Sequence, residues 1–304
     1  MITYVNGKYV PEDEAKVPVQ DRGMLFGDGV YDIERTFDGA AFKLEEHLDR
    51  LRKSMKYIEL DGDRLIGTVR DATHEVLARN ADAIRGAGDV WIHQVVTAGA
   101  GDLDLGQAGE PTVIVMLRPL EFGSFAPLYE RGVDLTVSLL TRHFAGAVDP
   151  RVKSISRLAW ARAERKATRM SGADPRPGHS AWTVIFNDDG TIAEAVVSNL
   201  CIATKDRIVR PPRYEALEGA GLETLCELAQ GLGLGVEERK LGLYDLVNAD
   251  ATFMTGTSFS VLPVAEVDGI PLDRDDALYS RLLQSWIDLV GFDFVEQAKE
   301  RAGL

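Results

Sequence analysis

The stretch that decides how we interpret this chain is Asp149-Pro150-Arg151-Val152-Lys153-Ser154-Ile155-Ser156-Arg157-Leu158. It places Lys153 just before an alanine-rich segment, residues 159–170, in which small residues recur every four positions. That spacing predicts a helix with one narrow face that packs closely against its neighbour. A lysine at the start of such a helix can be desolvated, and a desolvated lysine can form a Schiff base. The alternative is a solvated surface lysine, and other parts of the chain must decide between the two.

Length and charge narrow the class of protein. The 304 residues exceed the usual size of one hydrophobic core, which predicts two domains. A net charge of −14 argues against nucleic acid or an anionic membrane as the main partner, because both require a basic face, and it favours a small-molecule substrate. Cys201 and Cys226 lack the spacing of a zinc site or a disulfide framework, so no metal is expected. Without a signal peptide or a transmembrane stretch, the expected location is the cytoplasm.

Residues 1–120 are predicted to form an α+β first domain. Asn6-Gly7 lies between two short apolar pairs and predicts a hairpin. The stretch Gly27-Asp28-Gly29-Val30-Tyr31 leads into a strand, but it lacks the third glycine of a dinucleotide fingerprint, and a glycine-shaped turn beside a pocket fits it better. A helix over residues 45–58 carries Arg50 beside its apolar stripe, where the side chain is either solvated or functional.

Residues 118–127 contain two prolines and a glycine, and a linker over residues 121–129 is predicted to join this domain to a second one over residues 130–304. A strand over residues 191–203 contains Glu194, whose carboxylate must either face solvent or meet a cationic partner.

The run Gly219-Ala220-Gly221 predicts a helix start whose free N–H groups can bind an anion. Thr255-Gly256-Thr257-Ser258 adds hydroxyl and N–H donors, although both motifs also occur in ordinary helix starts and turns.

Together these residues supply what is needed to hold pyridoxal phosphate: an amine, an acid for the pyridine nitrogen, and donors for the phosphate. Their order also resembles the class IV pyridoxal-phosphate aminotransferases, which include branched-chain and D-amino acid aminotransferases, (R)-amine transaminases and aminodeoxychorismate lyases. The resemblance covers nearly the whole chain. It is carried by Asp21-Arg22-Gly23, Gly27-Asp28-Gly29-Val30-Tyr31, Glu46-His47-Leu48-Asp49-Arg50-Leu51, Val152-Lys153-Ser154, Glu194 with Ser198-Asn199, and Thr255-Gly256-Thr257 with Pro263-Val264.

The resemblance implies a fold type IV enzyme with a small α+β domain and a larger pseudo-barrel domain, usually as a homodimer, with pyridoxal 5′-phosphate as its cofactor. It makes Lys153 the Schiff-base lysine, Glu194 the partner of the pyridine nitrogen and Arg50 a phosphate ligand. Tyr31 is expected to line the substrate side of the pocket. The other cofactor donors that it implies are Ala220, Gly221, Gly256 and Thr257.

Departures from the family pattern bear on the substrate. Ala98 stands where some members carry an arginine that meets a substrate carboxylate, and Leu158 stands where branched-chain enzymes have a tyrosine. Unless Arg142 or Arg151 replaces that arginine, the carboxylate depends on neutral donors such as Ser258. We therefore expect hydrophobic amino donors, with branched-chain amino acids first and primary amines also accepted, and a 2-oxo acid as acceptor. The alternatives are an aminodeoxychorismate-type lyase, a D-amino acid aminotransferase, and a non-catalytic binding module.

Overall fold

The computed structural model describes residues 1–102, 104–141, 148–171 and 182–304, without the side chains of residues 139–141 and 170–171. The chain divides into two compact units. The first consists of Met1–Leu120 and Val152–Arg157, and the second consists of Glu121–Arg151 and Leu158–Leu304. Each unit combines helices and strands, in agreement with the predicted α+β class.

The first unit is built on a six-stranded sheet with the order β2-β1-β6-β5-β3-β4. Its strands are β1 (Ile2–Val5), β2 (Lys8–Pro11), β3 (Gly29–Phe37), β4 (Ala40–Ala41), β5 (Val90–Ala100) and β6 (Glu110–Pro119). Its helices are α1 (Arg22–Phe26), α2 (Leu44–Tyr57), α3 (Gly62–Arg79) and α4 (Ala81–Ala87). The predicted hairpin is confirmed: Asn6 and Gly7 have φ values of 44° and 85°, as a tight turn between paired strands requires.

Helices α2 and α3 pack their apolar stripes against one face of this sheet. Period-2 alternation along β3 and β5 points every second side chain toward the helices, and the stripes of α2 and α3 recur with helical spacing. The resulting core contains Val30, Leu48, Leu51, Met55, Leu65, Val69, Val76, Ile92, Val96 and Val115, each at most 6% exposed.

The segment that carries the lysine belongs to this first unit, whereas we predicted residues 130–304 as one domain. The reason is strand pairing at the start of β3. The Tyr31 N–H donates to the Lys153 carbonyl at 2.9 Å, and the Ile155 N–H donates to the Gly29 carbonyl at 3.1 Å. Val152 also packs against the core of the unit. Residues 152–157 therefore extend the sheet edge locally.

In the second unit, nine strands of the described chain form a mixed sheet. They are β7 (Val133–Thr141), β8 (Thr183–Phe186), β9 (Ile192–Ala195), β10 (Asn199–Thr204), β11 (Arg207–Arg210), β12 (Gly235–Glu238), β13 (Ala251–Gly256), β14 (Ser260–Val267) and β15 (Ile270–Pro271). The helices are α5 (Leu128–Arg131), α6 (Leu158–Ser171), α7 (Ala220–Gly231), α8 (Leu243–Val247), α9 (Asp276–Val290) and α10 (Phe294–Ala302). A short 3₁₀ turn, Phe122–Ser124, precedes α5 within the predicted linker.

The order of this sheet is β12-β11-β10-β13-β14-β7-β8-β9, with β15 beside β14. Strand β9 is last in the order and β10 is third, yet they are consecutive in the chain, and Ala195 and Ser198 form a bridge between their ends. Such a short connection requires the sheet to curl back on itself. This curl is the predicted pseudo-barrel.

Two predicted elements were wrong in their extent. The strand expected over residues 191–203 is interrupted at residues 196–198, because the Val196 N–H bonds to the Thr183 carbonyl and Ala195 pairs with Ser198 in a turn. The amphipathic pattern of residues 276–300 predicts one closing helix, but this helix stops at Gly291, which has a φ of 67° that closes α9 before α10 begins. Among the described helices, none is both long and apolar enough to cross a membrane.

Candidate active site

Strand β3 and helix α2 hold Lys153 from two sides. The Lys153 carbonyl accepts the Tyr31 N–H at 2.9 Å, and the Lys153 N–H donates to Ser54 Oγ of α2 at 3.2 Å. The Lys153 Nζ lies 4.9 Å from the centre of the Tyr31 ring, within range of a cation–π contact. The structure thus brings Lys153 and Tyr31 together. It does not place the lysine at the mouth of a helix, since α6 begins only at Leu158.

Arg50 is not a solvated helix arginine, because its side chain is only 13% exposed and forms a bidentate pair with Asp32. Its Nε lies 2.8 Å from Asp32 Oδ2, and its Nη2 lies 2.6 Å from Oδ1. His47, one turn earlier on α2, places Nδ1 2.8 Å from the same Oδ1. Burial alone would raise the pKa of Asp32, but Arg50 and His47 hold it well below its usual range.

Glu34 stands beside this group and completes a buried cluster with Asp32 and His47, in which three ligand-type atoms lie within 4.8 Å of one another. Asp32 Oδ1 already accepts the Ile33 N–H at 2.7 Å as well as Arg50 and His47. The guanidinium therefore supplies the positive charge here. Burial and the adjacent Asp32 carboxylate raise the pKa of Glu34 well above its usual value, which favours the neutral acid.

Three other residues, Ala98, Arg142 and Arg151, bear on how the substrate carboxylate is bound. Ala98 is 2% exposed and lies in the core of the first unit, and its N–H bonds to the Asp28 carbonyl at 3.1 Å. Arg151 forms a bidentate pair with Asp149 at 2.7 and 2.9 Å. Arg142 lies outside the described residues. A role for Ala98 in the substrate pocket stays a prediction.

Sequence reasoning gave no separate role to Arg22, which is 2% exposed and anchors the loop that follows Ala98. Its guanidinium donates to the carbonyls of Asp102, Asp104 and Leu105 at 2.8–3.2 Å, and its Nε pairs with Asp28 at 2.9 Å. The Asp21-Arg22-Gly23 motif therefore holds a loop in place.

In the second unit, Glu194 lies on β9 and is 5% exposed. The indole N–H of Trp160 on α6 donates to its Oε1 at 3.3 Å, and the Leu217 N–H donates to Oε2 at 3.1 Å. Of the two outcomes that the sequence left open, exposure to solvent is wrong. The carboxylate is buried, and N–H donors hold both of its oxygen atoms, which suits a group that must keep one orientation toward a protonated ring nitrogen.

The glycine-rich run lies at the start of α7, as predicted. Gly219 precedes the helix, and a Cβ there would lie 2.0 Å from Asn199 Oδ1, so a larger residue would displace the Asn199 side chain. Asn199 also donates to the Leu217 carbonyl at 2.9 Å. The first N–H groups of an α-helix have no partner within it, so those of Ala220 and Gly221 are suited to a phosphate.

This helix start lies against the Thr255-Gly256 turn. A Cβ at Gly221 would come within 3.5 Å of the Gly256 N. Thr255 Oγ1 is buried and has no hydrogen-bond partner among the residues that the structure describes. A narrow cradle of N–H groups beside a buried, unsatisfied hydroxyl fits a phosphate group, so the residues present suit the implied cofactor.

An aromatic cluster supports the turn that Thr257 and Ser258 form between β13 and β14. A Cβ at Gly256 would lie 2.7 Å from the ring of Phe259, so this ring abuts the turn and requires glycine. The Tyr129 hydroxyl donates to the Phe259 carbonyl at 3.0 Å, and the Trp182 ring meets Phe259 edge-on at 5.6 Å. Leu158, which begins α6, is 67% exposed.

Comparison with known proteins identifies the family. The model of the class IV amino-transferase family matches residues 29–267. The chain is 34% identical over 273 residues to a provisionally named branched-chain-amino-acid aminotransferase of Methanocaldococcus jannaschii, with 88% of each chain covered. It is 28% identical to a D-alanine aminotransferase of Bacillus licheniformis, with 87% of each chain covered.

A solved structure, the branched-chain amino acid aminotransferase of Escherichia coli, has the same fold with a TM-score of 0.81 at 24% identity, over 95% of this chain and 94% of that one. This likeness confirms the predicted fold type IV architecture. The family match spans most of the chain and includes Lys153, Glu194 and the Gly256 turn. The chain therefore belongs to the class IV aminotransferases, and its cofactor is pyridoxal 5′-phosphate.

Proposed function

We propose that this aminotransferase takes its amino group from hydrophobic donors, first branched-chain amino acids and also simple primary amines, and passes it to a 2-oxo acid. The placement of Ala98 carries the proposal: the position where some relatives have a carboxylate-binding arginine is a core alanine. Arg22 and Arg151 are committed to loop carbonyls and to Asp149. The names of the branched-chain relatives support the same substrate class.

The proposed roles of the site residues follow from their surroundings. When bound, pyridoxal phosphate supplies an aldehyde carbon and an electron-withdrawing pyridinium ring. Lys153 binds the cofactor and, as a free amine, carries a proton at Nζ to and from the reacting carbon. Glu194, oriented by Trp160 and Leu217, keeps the ring nitrogen protonated.

The phosphate donors that we propose are Arg50, the N–H groups of Ala220 and Gly221, and the Gly256-Thr257 turn. Tyr31, beside Lys153, and Ser258, in the turn after β13, are proposed to contact the substrate. Leu158 is proposed to take the place of the tyrosine of branched-chain enzymes. A homodimer and a cytoplasmic location, both expected from the sequence, are part of this proposal.

A half-reaction panel tests the substrate class. The holoenzyme is mixed separately with L-leucine, D-alanine and each enantiomer of 1-phenylethylamine, and the cofactor absorption is followed over time. We expect fast conversion with L-leucine and slower, measurable conversion with at least one amine, because the neutral donors proposed for the substrate carboxylate discriminate weakly for it. Conversion by D-alanine alone would contradict the proposal and favour the D-amino acid alternative.

The lyase alternative predicts a different product. A lyase of the aminodeoxychorismate type releases pyruvate and needs no 2-oxo acid. We expect no pyruvate from an amino-chorismate substrate in the absence of acceptor, and full turnover with L-leucine only when a 2-oxo acid is added. Acceptor-independent pyruvate release, measured with lactate dehydrogenase as the coupling enzyme, would replace transamination as the main activity.

Arg50→Lys tests the proposed phosphate contact. Lysine keeps a positive charge next to the buried Asp32, which an alanine would leave poorly compensated, but it lacks the planar fork of arginine. We expect cofactor affinity to fall roughly 10–100-fold, while the rate at saturating cofactor changes little. The measurement is cofactor retained after dialysis at matched protein concentrations.

Arg52→Lys is the matched control, because Arg52 lies on the same helix and pairs with Asp49 at the surface, with a side chain 32% exposed. It should retain as much cofactor as the parent. Equal retention by Arg50→Lys and the parent would show that Arg50 serves the Asp32 cluster and not the phosphate.

A further inference from the structure

The half-buried side chain of Trp160 reaches the carboxylate that is proposed to hold the pyridine nitrogen. Its indole N–H donates to Glu194 Oε1 at 3.3 Å. Indole can only donate a hydrogen bond, so Glu194 Oε1 is the acceptor in this contact. None of the sequence motifs includes this residue, and a tryptophan in an alanine-rich helix is typical of a residue that packs in the core.

The position of the indole is determined by how α6 meets the sheet. Ala163 and Ala167 are 2% and 3% exposed and form the close-packed face of the helix. One turn after Trp160, Glu164 Oε2 accepts the Thr183 hydroxyl of β8 at 2.7 Å. Side chains four residues apart lie on one face of a helix. Trp160 and Glu164 therefore form hydrogen bonds from the same face of α6 to the adjacent strands β9 and β8. Trp160 is thereby aimed at β9.

The second oxygen of Glu194 accepts the Leu217 N–H at 3.1 Å, and Asn199 fixes Leu217 through its carbonyl at 2.9 Å. Donors on both oxygen atoms therefore hold the carboxylate plane. A carboxylate that lost one of these donors would rotate more freely, and this would weaken its hydrogen bond to a protonated ring nitrogen.

We infer that Trp160 is a positioning residue for catalysis, which holds the Glu194 carboxylate in one orientation toward the cofactor ring. The inference rests on the proposed role of Glu194. Helix α6, which follows the lysine segment, then contributes to the chemistry. Its Trp160 holds the carboxylate that is proposed to keep the ring nitrogen protonated, and a protonated ring withdraws electrons more strongly.

The test removes the N–H donor. In Trp160→Phe holoenzyme we expect the L-leucine half-reaction at saturating donor to slow about tenfold, as the loss of one hydrogen bond to a charged group predicts. The L-leucine concentration for half-maximal rate should change less than twofold, because Trp160 is proposed to act through Glu194. Replacement of Trp160 by 3-benzothienylalanine, which keeps the shape of indole without its N–H, should slow the reaction similarly and guards against a packing defect.

Thr183→Val is the matched control, because it removes the neighbouring hydrogen bond between α6 and the sheet without touching Glu194. It should leave the half-reaction rate within twofold of the parent. In a Glu194→Gln background, where no carboxylate remains to be oriented, adding Trp160→Phe should change the rate less than threefold.

The possible results distinguish the proposed role of Glu194 from the inferred role of Trp160. Equal rates in the parent and in Glu194→Gln would contradict the role of Glu194 and this inference with it. A slow Glu194→Gln variant together with parent-like rates for both Trp160 replacements would overturn the inference alone. Equal slowing by Thr183→Val and Trp160→Phe would show that Trp160 only anchors the helix.

Discussion

Lys153→Ala is expected to abolish transamination, with a residual rate at least roughly four decades below the parent, because the proposed roles make one side chain both the attachment point for the cofactor and the proton carrier. The fold should persist. The hydrogen bonds that hold this segment join the Lys153 backbone to Tyr31 and Ser54, and an alanine retains them. The variant should still bind cofactor, but not covalently.

Borohydride reduction followed by peptide mass mapping checks this expectation directly. In the parent, the cofactor adduct should map to Lys153, and in the variant no lysine should carry it. Lys53→Ala is the control, since Lys53 is 65% exposed on α2 and pairs with Asp49. It should show parent-like labelling and turnover. A reducible adduct on any other lysine of the parent would refute the assignment.

Glu194→Gln is expected to slow the half-reaction by about two to three decades while the protein stays folded. A neutral amide cannot stabilise a protonated pyridine nitrogen, and the loss of a charged partner costs on the order of a few kcal/mol. The amide oxygen can still accept one of the N–H groups of Trp160 and Leu217, so the local structure should change little. Single-turnover absorption measurements with L-leucine provide the rate.

Glu215→Gln provides the comparison, because Glu215 is a second buried carboxylate of the same unit and pairs with Lys240 at 2.9 Å. It is expected to lower thermal stability without a comparable loss of rate. If both variants kept near-parental single-turnover rates, Glu194 would have to be removed from the proposed site.

The sequence was sufficient where one local signal determined the structure. Asn6-Gly7 specified a hairpin, the stripe around Leu48 specified α2, and Gly219 specified a helix start. The same local signals misjudged the extent of β9 and α9. The interruption at residues 196–198 depends on bonds to Thr183, a residue of another strand, and no pattern in a single segment reveals such a partner.

The site was less predictable because its supporting residues act through tertiary contacts. The resemblance pointed to Arg50, but the buried Asp32 that pairs with it lies in a strand where period-2 alternation says only that it faces the helices. Trp160 and Ser54 likewise carry no motif. Their roles appear only when α6 is placed beside β9 and α2 beside the lysine segment.

The pairing of residues 152–157 with β3 has a consequence for how the chain folds as it is synthesised. The Tyr31 N–H and the Gly29 carbonyl stay without their partners on the lysine segment until the chain has been extended past Leu120 and through residues 121–151. An unpaired strand edge of this kind invites association with other chains, and pairing over such a sequence separation is slow to form. The first unit therefore cannot finish folding on its own during translation. The step that closes its open edge is also the step that brings in Lys153, so a chain interrupted before residue 152 has neither a completed sheet nor the lysine that we propose to hold the cofactor.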